Sequence, residues 1–350
     1  MNFKEAKLRM KHLTVSTLCV IILLSIACQY TVYSDIAKPN NGIIIFESYS
    51  PNGTELIKYE VESGNFYALT QNDNVDKLGA FNPKTNKLAF VSDRGGGWNI
   101  WQMDLSGGSV YKLTDDRKLY VNGLDWTDNG GFLAASLQED CEGCVFDIVT
   151  ITENGRNLNN LTQSKEIEFQ PHWSPNGNEI IFVAKSSKMT DQIYIMDNDG
   201  KNITNLTKND VNNENPHWSP NGKYIVFSSE MTDGDWDIYI MDSNGENLQL
   251  VTKNLTDDIT PNWSPDGNKL VYSTFIENNF EIVISDLDGT NQIRLTHNPL
   301  DERTPLWIQF EGCADEEEKP IEIQSGIGIF ANVYDELNRD KTNQMEQIHE

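Results

Sequence analysis

The chain has 350 residues, 38% of them hydrophobic and 10% aromatic, enough to bury the core of one large all-β domain. Its 53 acidic against 27 basic side chains give a formal charge of −26, a surface that repels phosphate backbones and anionic headgroups and so excludes nucleic acid as an expected partner. No Gly-x-Ser-x-Gly elbow, His-Glu-x-x-His pair or phosphate loop occurs, which removes the common hydrolase and nucleotide-binding signatures.

At the N-terminus, Lys4, Lys7, Arg9 and Lys11 precede a largely apolar run from Leu13 to Ala27, the layout of an export signal. The run is short for a spanning helix, which needs about 20 apolar residues. It ends Leu24-Ser25-Ile26-Ala27-Cys28. This resembles the signal of bacterial lipoproteins, whose cysteine becomes the lipid-bearing first residue, although Ser25 stands where that motif usually has leucine. The resemblance implies a signal peptide over 1–27, lipidation at Cys28 and an extracytoplasmic, membrane-anchored mature chain, in the periplasm or at the cell surface. Plain cleavage giving a secreted protein, and a retained helix, are the alternatives. Residues 28–40 make a short tether.

From residue 41 to 310 the chain repeats. Pro171-His-Trp-Ser-Pro-Asn-Gly177 returns as Pro216-His-Trp-Ser-Pro-Asn-Gly222 and Pro261-Asn-Trp-Ser-Pro-Asp-Gly267, with tryptophans 45 residues apart. A fixed period of this length marks a repeat architecture. The same position holds Phe81, Trp126, Trp173, Trp218, Trp263 and Trp307. Each of the first five is followed by a short Ile/Val/Phe/Tyr-rich run, such as Ile180-Ile-Phe-Val183. A hydrophobic residue then threonine closes each unit, from Leu69-Thr70 to Leu295-Thr296.

Within a unit the runs have strand composition, bounded by turn residues. Ser-Pro-Asn-Gly supplies a fixed proline φ and a glycine free to go positive. A second turn recurs as Asp197-Asn-Asp-Gly200, Asp242-Ser-Asn-Gly245 and Asp286-Leu-Asp-Gly289. Four antiparallel strands per repeat, six times over, predict an all-β six-bladed propeller whose blades are wedged by the six aromatic residues. The first unit lacks its own tryptophan strand and the last opening, near Trp307, stands alone. The C-terminal strand is therefore expected to complete the first blade and remove two sheet edges.

These motifs, Pro-x-Trp-Ser-Pro-(Asn/Asp)-Gly, Asp-Ile-Tyr-Ile-Met-Asp and Leu-Thr, resemble the propeller of the TolB family. The resemblance covers about residues 41–310 and implies a binding module for an envelope protein or a peptidoglycan-associated partner. The founding member of that family carries an α/β domain ahead of its propeller, and only the tether precedes blade one here. WD-repeat propellers share the period, but their Gly-His and Trp-Asp landmarks are missing.

Candidate chemistry is sparse. Five residues before the aromatic openings stand Asp76, Glu168, Asp258 and Glu302, with Val121 and Asn213 in the other two units. An acidic ring at one channel mouth, receiving a basic peptide or a cation such as calcium, is the expectation. No other cofactor is expected. His172 and His217 share one repeat position and read as structural, or as candidates for a funnel enzyme or glycan binder with Trp98 or Trp236 for stacking. Cys141 and Cys144 read as a disulfide pinning a long hairpin, with a free pair or redox or metal chemistry as alternatives. Residues 311–350 hold 11 acidic and 3 basic side chains and form an acidic tail.

Overall fold

The computed structural model describes residues 42–114, 119–139, 145–185, 188–231 and 234–309. They form twenty-four strands and, among the described residues, no helix. Blade I holds β1 (Ile43–Ser50), β2 (Gly53–Glu60) and β3 (Asn65–Ala68). Blade II holds β4 (Asp76–Asn82), β5 (Lys87–Ser92), β6 (Asn99–Asp104) and β7 (Tyr111–Lys112). Blade III holds β8 (Leu119–Trp126), β9 (Phe132–Glu139), β10 (Asp147–Thr152) and β11 (Leu158–Asn160). Blade IV holds β12 (Glu168–Trp173), β13 (Glu179–Lys185), β14 (Asp191–Asp197) and β15 (Thr204–Asn205). Blade V holds β16 (Asn213–Trp218), β17 (Tyr224–Ser229), β18 (Asp237–Asp242) and β19 (Gln249–Leu250). Blade VI holds β20 (Asp258–Trp263), β21 (Lys269–Ile276), β22 (Asn279–Asp286) and β23 (Ile293–Arg294), and β24 (Asp301–Ile308) follows.

Each blade is one four-stranded antiparallel sheet, and β24 is the innermost strand of blade I. It pairs antiparallel with β1 from Ile43 opposite Ile308 to Tyr49 opposite Asp301. The expected closure is thus present, and the last described strand clasps the first.

The core lies between blades rather than within one. Trp218 (5% exposed) packs with Ile225, Phe227 and Met241 of its own blade and with Ile181, Ile193 and Leu206 of blade IV. Trp126, Trp173, Trp263 and Trp307 wedge their junctions the same way. Phe81 is half-buried, packed against a cluster that includes Leu88 and Phe90. A sheet buried on both faces has apolar central strands throughout, which is why β13 and β17 lack alternation.

Turn chemistry recurs with the repeat. The Ser174 hydroxyl donates to Asn176 Oδ1 (2.9 Å) and accepts the Glu179 N–H (3.0 Å), while Gly177 turns back to the Ser174 carbonyl. Ser219 and Ser264 repeat this, and Thr127 does so in blade III. The glycine of the second turn has a packing reason. Gly200 (φ +82°) abuts the preceding blade so closely that a Cβ would sit 2.5 Å from the Leu161 carbonyl oxygen, and Gly245 and Gly289 meet Leu206 and Val251 alike.

The Leu-Thr landmark is a staple. The hydroxyls of Thr70, Thr114, Thr162, Thr207, Thr252 and Thr296 each accept the backbone N–H that opens the neighbouring third strand, at 2.9–3.2 Å. Five of them also donate to the preceding side chain: Glu55, Asn99, Asp147, Gln192 and Asp237. One hydroxyl thereby ties the short outer strand to the blade and satisfies a buried polar side chain.

Candidate functional site

The inner strands β4, β8, β12, β16, β20 and β24 each touch the next, and β24 touches β4, so they close a ring around the central channel. Every one carries a bulge. In five blades the bulged residue has a left-handed backbone: Gly123, Gln170, Asn215, Thr260 and Thr304. These residues form a belt from blade to blade. Gln170 Nε2 donates to Asn215 Oδ1 (3.0 Å), the Asn215 N–H to Gln170 Oε1 (2.7 Å) and the Thr304 N–H to Thr260 Oγ1 (3.3 Å). The Thr260 N–H reaches Ser228 Oγ of blade V (3.2 Å). At Gly123 (φ +100°) a Cβ would lie 2.7 Å from Gln170 Cα, so only glycine lets blades III and IV approach this closely.

A second tier is made by the residue before each wedge. Asp125, His172, His217 and Asn262 form an arc across four blades, with Leu306 and Ala80 at the matching positions of the other two. Asp125 Oδ2 accepts the Trp173 N–H (2.7 Å) and lies 3.6 Å from His172 Nδ1. The two imidazoles meet edge-on with centroids 4.4 Å apart, and His217 Nδ1 lies 3.2 Å from Asn262 Nδ2.

Burial sets the charge of this arc. It pushes His172 down to about 4, opposed by its bond to the Trp173 carbonyl, and pushes His217 well down, helped by His172 alongside. It pushes the Asp125 carboxyl well up, against the Trp173 N–H bond that favours the charged form. Asp125 and His172 are therefore not an ion pair near neutrality. The partners fix the tautomers: His172 Nδ1 lies 3.2 Å from the Trp173 carbonyl and carries the proton, whereas His217 Nδ1 accepts from the Asn262 amide. Both imidazoles are thus neutral, and the arc is a row of hydrogen-bond donors and acceptors.

The four acidic residues anticipated at the mouth are placed inside the loops rather than on an open rim. Asp76 and Asp258 are 0% exposed, Glu302 2% and Glu168 5%. Asp76 Oδ2 accepts Asn72 Nδ2 and Arg94 Nη2, both at 2.7 Å. Asp258 accepts Asn254 Nδ2 (2.6 Å) and the Thr274 hydroxyl; Glu302 accepts Asn298 Nδ2 (2.6 Å) and Ser48 Oγ (3.1 Å). Burial pushes Asp258 up to about 6 and Glu302 up to about 8, and raises Glu168. The charged neighbours acting on them are Asp235 for Asp258, Asp147 and Glu166 for Glu168, and Glu281 and Asp301 for Glu302, not one another. For Asp76, Asp258 and Glu302 the physical reason is the asparagine four residues earlier, whose amide draws the side chain into its own loop; Ser164 holds that place before Glu168. That asparagine recurs as (Leu/Val)-Thr-x-Asn at Asn72, Asn209, Asn254 and Asn298, a signal available in the sequence alone.

Trp98 packs partly buried against the blade II–III core with Lys77 Nζ 5.6 Å from its ring centroid, and Trp236 is half-buried, its backbone N–H donating to Asp257 Oδ1 (3.1 Å). His297 is exposed. Cys28, Cys141, Cys144, the signal peptide, the tether and the acidic tail lie outside the described residues.

Six four-stranded blades closed by the chain's own ends define a six-bladed β-propeller of the repeat type. The chain belongs to the TolB beta propeller domain family (PD40), whose pattern matches residues 29–190 and 148–307. Among curated proteins it is 27% identical over 158 residues to the Tol-Pal system protein TolB of Helicobacter hepaticus, a match spanning 43% of this chain and 36% of that protein. Two solved structures share the fold at 21% identity. TolB from Acinetobacter baumannii superposes with a TM-score of 0.69 over 79% of this chain and 69% of that one. A putative TolB from Agrobacterium tumefaciens gives 0.60 over 73% and 88%.

Proposed function

We propose that this chain is an exported, lipid-anchored propeller that holds an envelope protein or a peptidoglycan-associated partner and performs no catalysis of its own. The observation that carries this is family membership over nearly all the described ring, together with a curated relative named for the Tol-Pal system. The geometry supports it. The channel offers hydrogen-bonding groups at two levels, the belt and the arc, both fixed by neighbours. A rigid surface of this kind loses little conformational entropy on binding. The basic N-terminus, apolar run and Cys28 support export and anchoring.

The test is affinity capture from the native envelope with the tagged full chain, beside a Cys28→Ala variant. The expected result is one enriched envelope partner and loss of membrane fractionation in the variant. Recovery of the wild type in the cytosol, or capture of cytosolic proteins alone, would overturn the proposal. A second reading, a glycan-binding or hydrolase/lyase-type site in the funnel, draws on Asp125 beside His172 and on half-buried Trp98 and Trp236. Saccharide quenching of tryptophan fluorescence that is lost in Trp98→Ala or Trp236→Ala would favour it.

A further inference from the structure

The fold does not ask for histidine before each wedge: alanine, leucine, aspartate and asparagine hold that position in the other blades, at Ala80, Leu306, Asp125 and Asn262. Blades IV and V nonetheless set His172 and His217 against each other, ring centroids 4.4 Å apart, on inner strands that surround the channel. Each ring has one nitrogen tied down. His172 Nδ1 lies 3.2 Å from the Trp173 carbonyl, which can only accept, so this nitrogen carries the proton and Nε2 is left as an acceptor. His217 Nδ1 lies 3.2 Å from the Asn262 amide nitrogen, which can only donate, so the proton of this ring is on Nε2, a donor.

Neither Nε2 has a partner among the described residues, and neither is buried; the partnerless buried nitrogens beside them are those of the Trp173 and Trp218 indoles. Both rings are part-exposed, the His172 side chain by 20%, and their strands line the channel, so the two nitrogens open into it. The belt differs, because there Gln170 and Asn215 satisfy each other at 3.0 and 2.7 Å. The arc thus holds one acceptor beside one donor, each oriented by a neighbour and each unused among the described residues.

We propose that this pair reads a primary carboxamide, the end group of an asparagine or glutamine side chain, on the segment that enters the channel. A primary carboxamide carries one N–H on the same side as its C=O. The N–H donates to His172 Nε2, and the C=O accepts from His217 Nε2–H. A main-chain amide is trans, so its N–H and C=O point apart and it meets only one of the two nitrogens. A carboxylate offers acceptors alone and would face the His172 lone pair, with the Asp125 carboxyl alongside, 3.6 Å from His172 Nδ1. An ammonium offers donors alone and leaves the His217 N–H unmatched. The inference deepens the reading of the channel as a partner site, and it is tested without the partner, so either can fail alone.

The experiment follows the imidazole nitrogen resonances of the full chain at pH 7 during titration with acetamide, N-methylacetamide, acetate or methylammonium. Before any addition, the shifts should show Nδ1 protonated in His172 and Nε2 protonated in His217. Acetamide should move both Nε2 resonances together and bind roughly tenfold more tightly than N-methylacetamide, which keeps one of the two hydrogen bonds. Acetate and methylammonium should leave both resonances in place. Asn262→Leu frees His217 Nδ1 and should erase the preference for acetamide. The same tautomer in both rings, equal binding of acetamide and N-methylacetamide, or no response to any probe would overturn the proposal. The tautomers and the probe preference are read on wild type, so they decide even if Asn262→Leu fails to fold.

Discussion

Trp218 and Trp263 hold the same repeat position and are buried alike, at 5% and 3% exposure, yet their indole N–H groups differ. Trp263 Nε1 donates to the His217 carbonyl at 3.1 Å, whereas Trp218 Nε1 is buried without an acceptor among the described residues. Phenylalanine at either site keeps the wedge and loses similar area, so the transfer loss largely cancels between the two variants. Trp263→Phe additionally loses a hydrogen bond, about 0.5–1.5 kcal/mol, while Trp218→Phe sheds an unsatisfied donor that costs about 1–3 kcal/mol. Trp263→Phe should therefore be the less stable variant by about 2–4 kcal/mol. Trp218→Ala sets the scale, since losing a wedge of about 150–250 Å² should cost about 3–5 kcal/mol. Urea denaturation at pH 7, followed by far-ultraviolet circular dichroism with matched m-values, measures all three. Equal costs for the two phenylalanine variants would refute the reasoning about the indole N–H.

Thr252→Val keeps the side chain's shape but strands the Ile238 N–H and removes one hydrogen bond of the Asp237 carboxylate, so it should cost about 1–3 kcal/mol and speed hydrogen exchange at Ile238. His172 should stay neutral down to about pH 4 in a nitrogen-detected titration. Its folded value lies below the ordinary 6.5, so the unfolded chain binds more protons between those limits. Stability should then fall by about 3 kcal/mol from this group as pH drops from 6.5 to 4, a slope absent in His172→Gln. Gly123→Ala should cost about 2 kcal/mol or more, because its Cβ meets backbone rather than a movable side chain; a melting temperature unchanged by it would contradict the close blade approach.

The architecture was legible because a 45-residue period, four strand-like runs and six aromatic wedges all point to one ring, and the lone Trp307 strand announced the closure. Side-chain direction was not legible. Position in the repeat put Asp76, Glu168, Asp258 and Glu302 on a circle, but only the hydrogen bonds from Asn72, Asn254 and Asn298 show three of them turned inward. The histidines stood out by residue type, while Asp125 and Asn262, at the same repeat position, did not. Their link emerges once β8, β12, β16 and β20 are set side by side. Leu-Thr was visible as a landmark, yet its work as a staple depends on which strand lies beside it.

Repetition also indicates where specificity must lie. Positions filled alike in all six blades, such as the stapling threonines, serve the ring, since any one blade needs them. A partner that docks in one orientation needs features that break the sixfold symmetry. The channel has two such breaks. The arc is polar across blades III to VI but has Ala80 and Leu306 in blades II and I. The position occupied elsewhere by an acid or amide is Val121 in blade III, packed with Trp98 against the core. The apolar sector thus spans blades I and II at the arc level, and blade III where the inner strands begin. A segment with one apolar and one hydrogen-bonding face would distinguish these sectors, whereas a uniformly charged segment would not. Leu306→Asn would extend the polar arc by one blade, and it should weaken capture of the proposed envelope partner more than it lowers stability. Capture that survives this substitution would place the docking surface outside the channel.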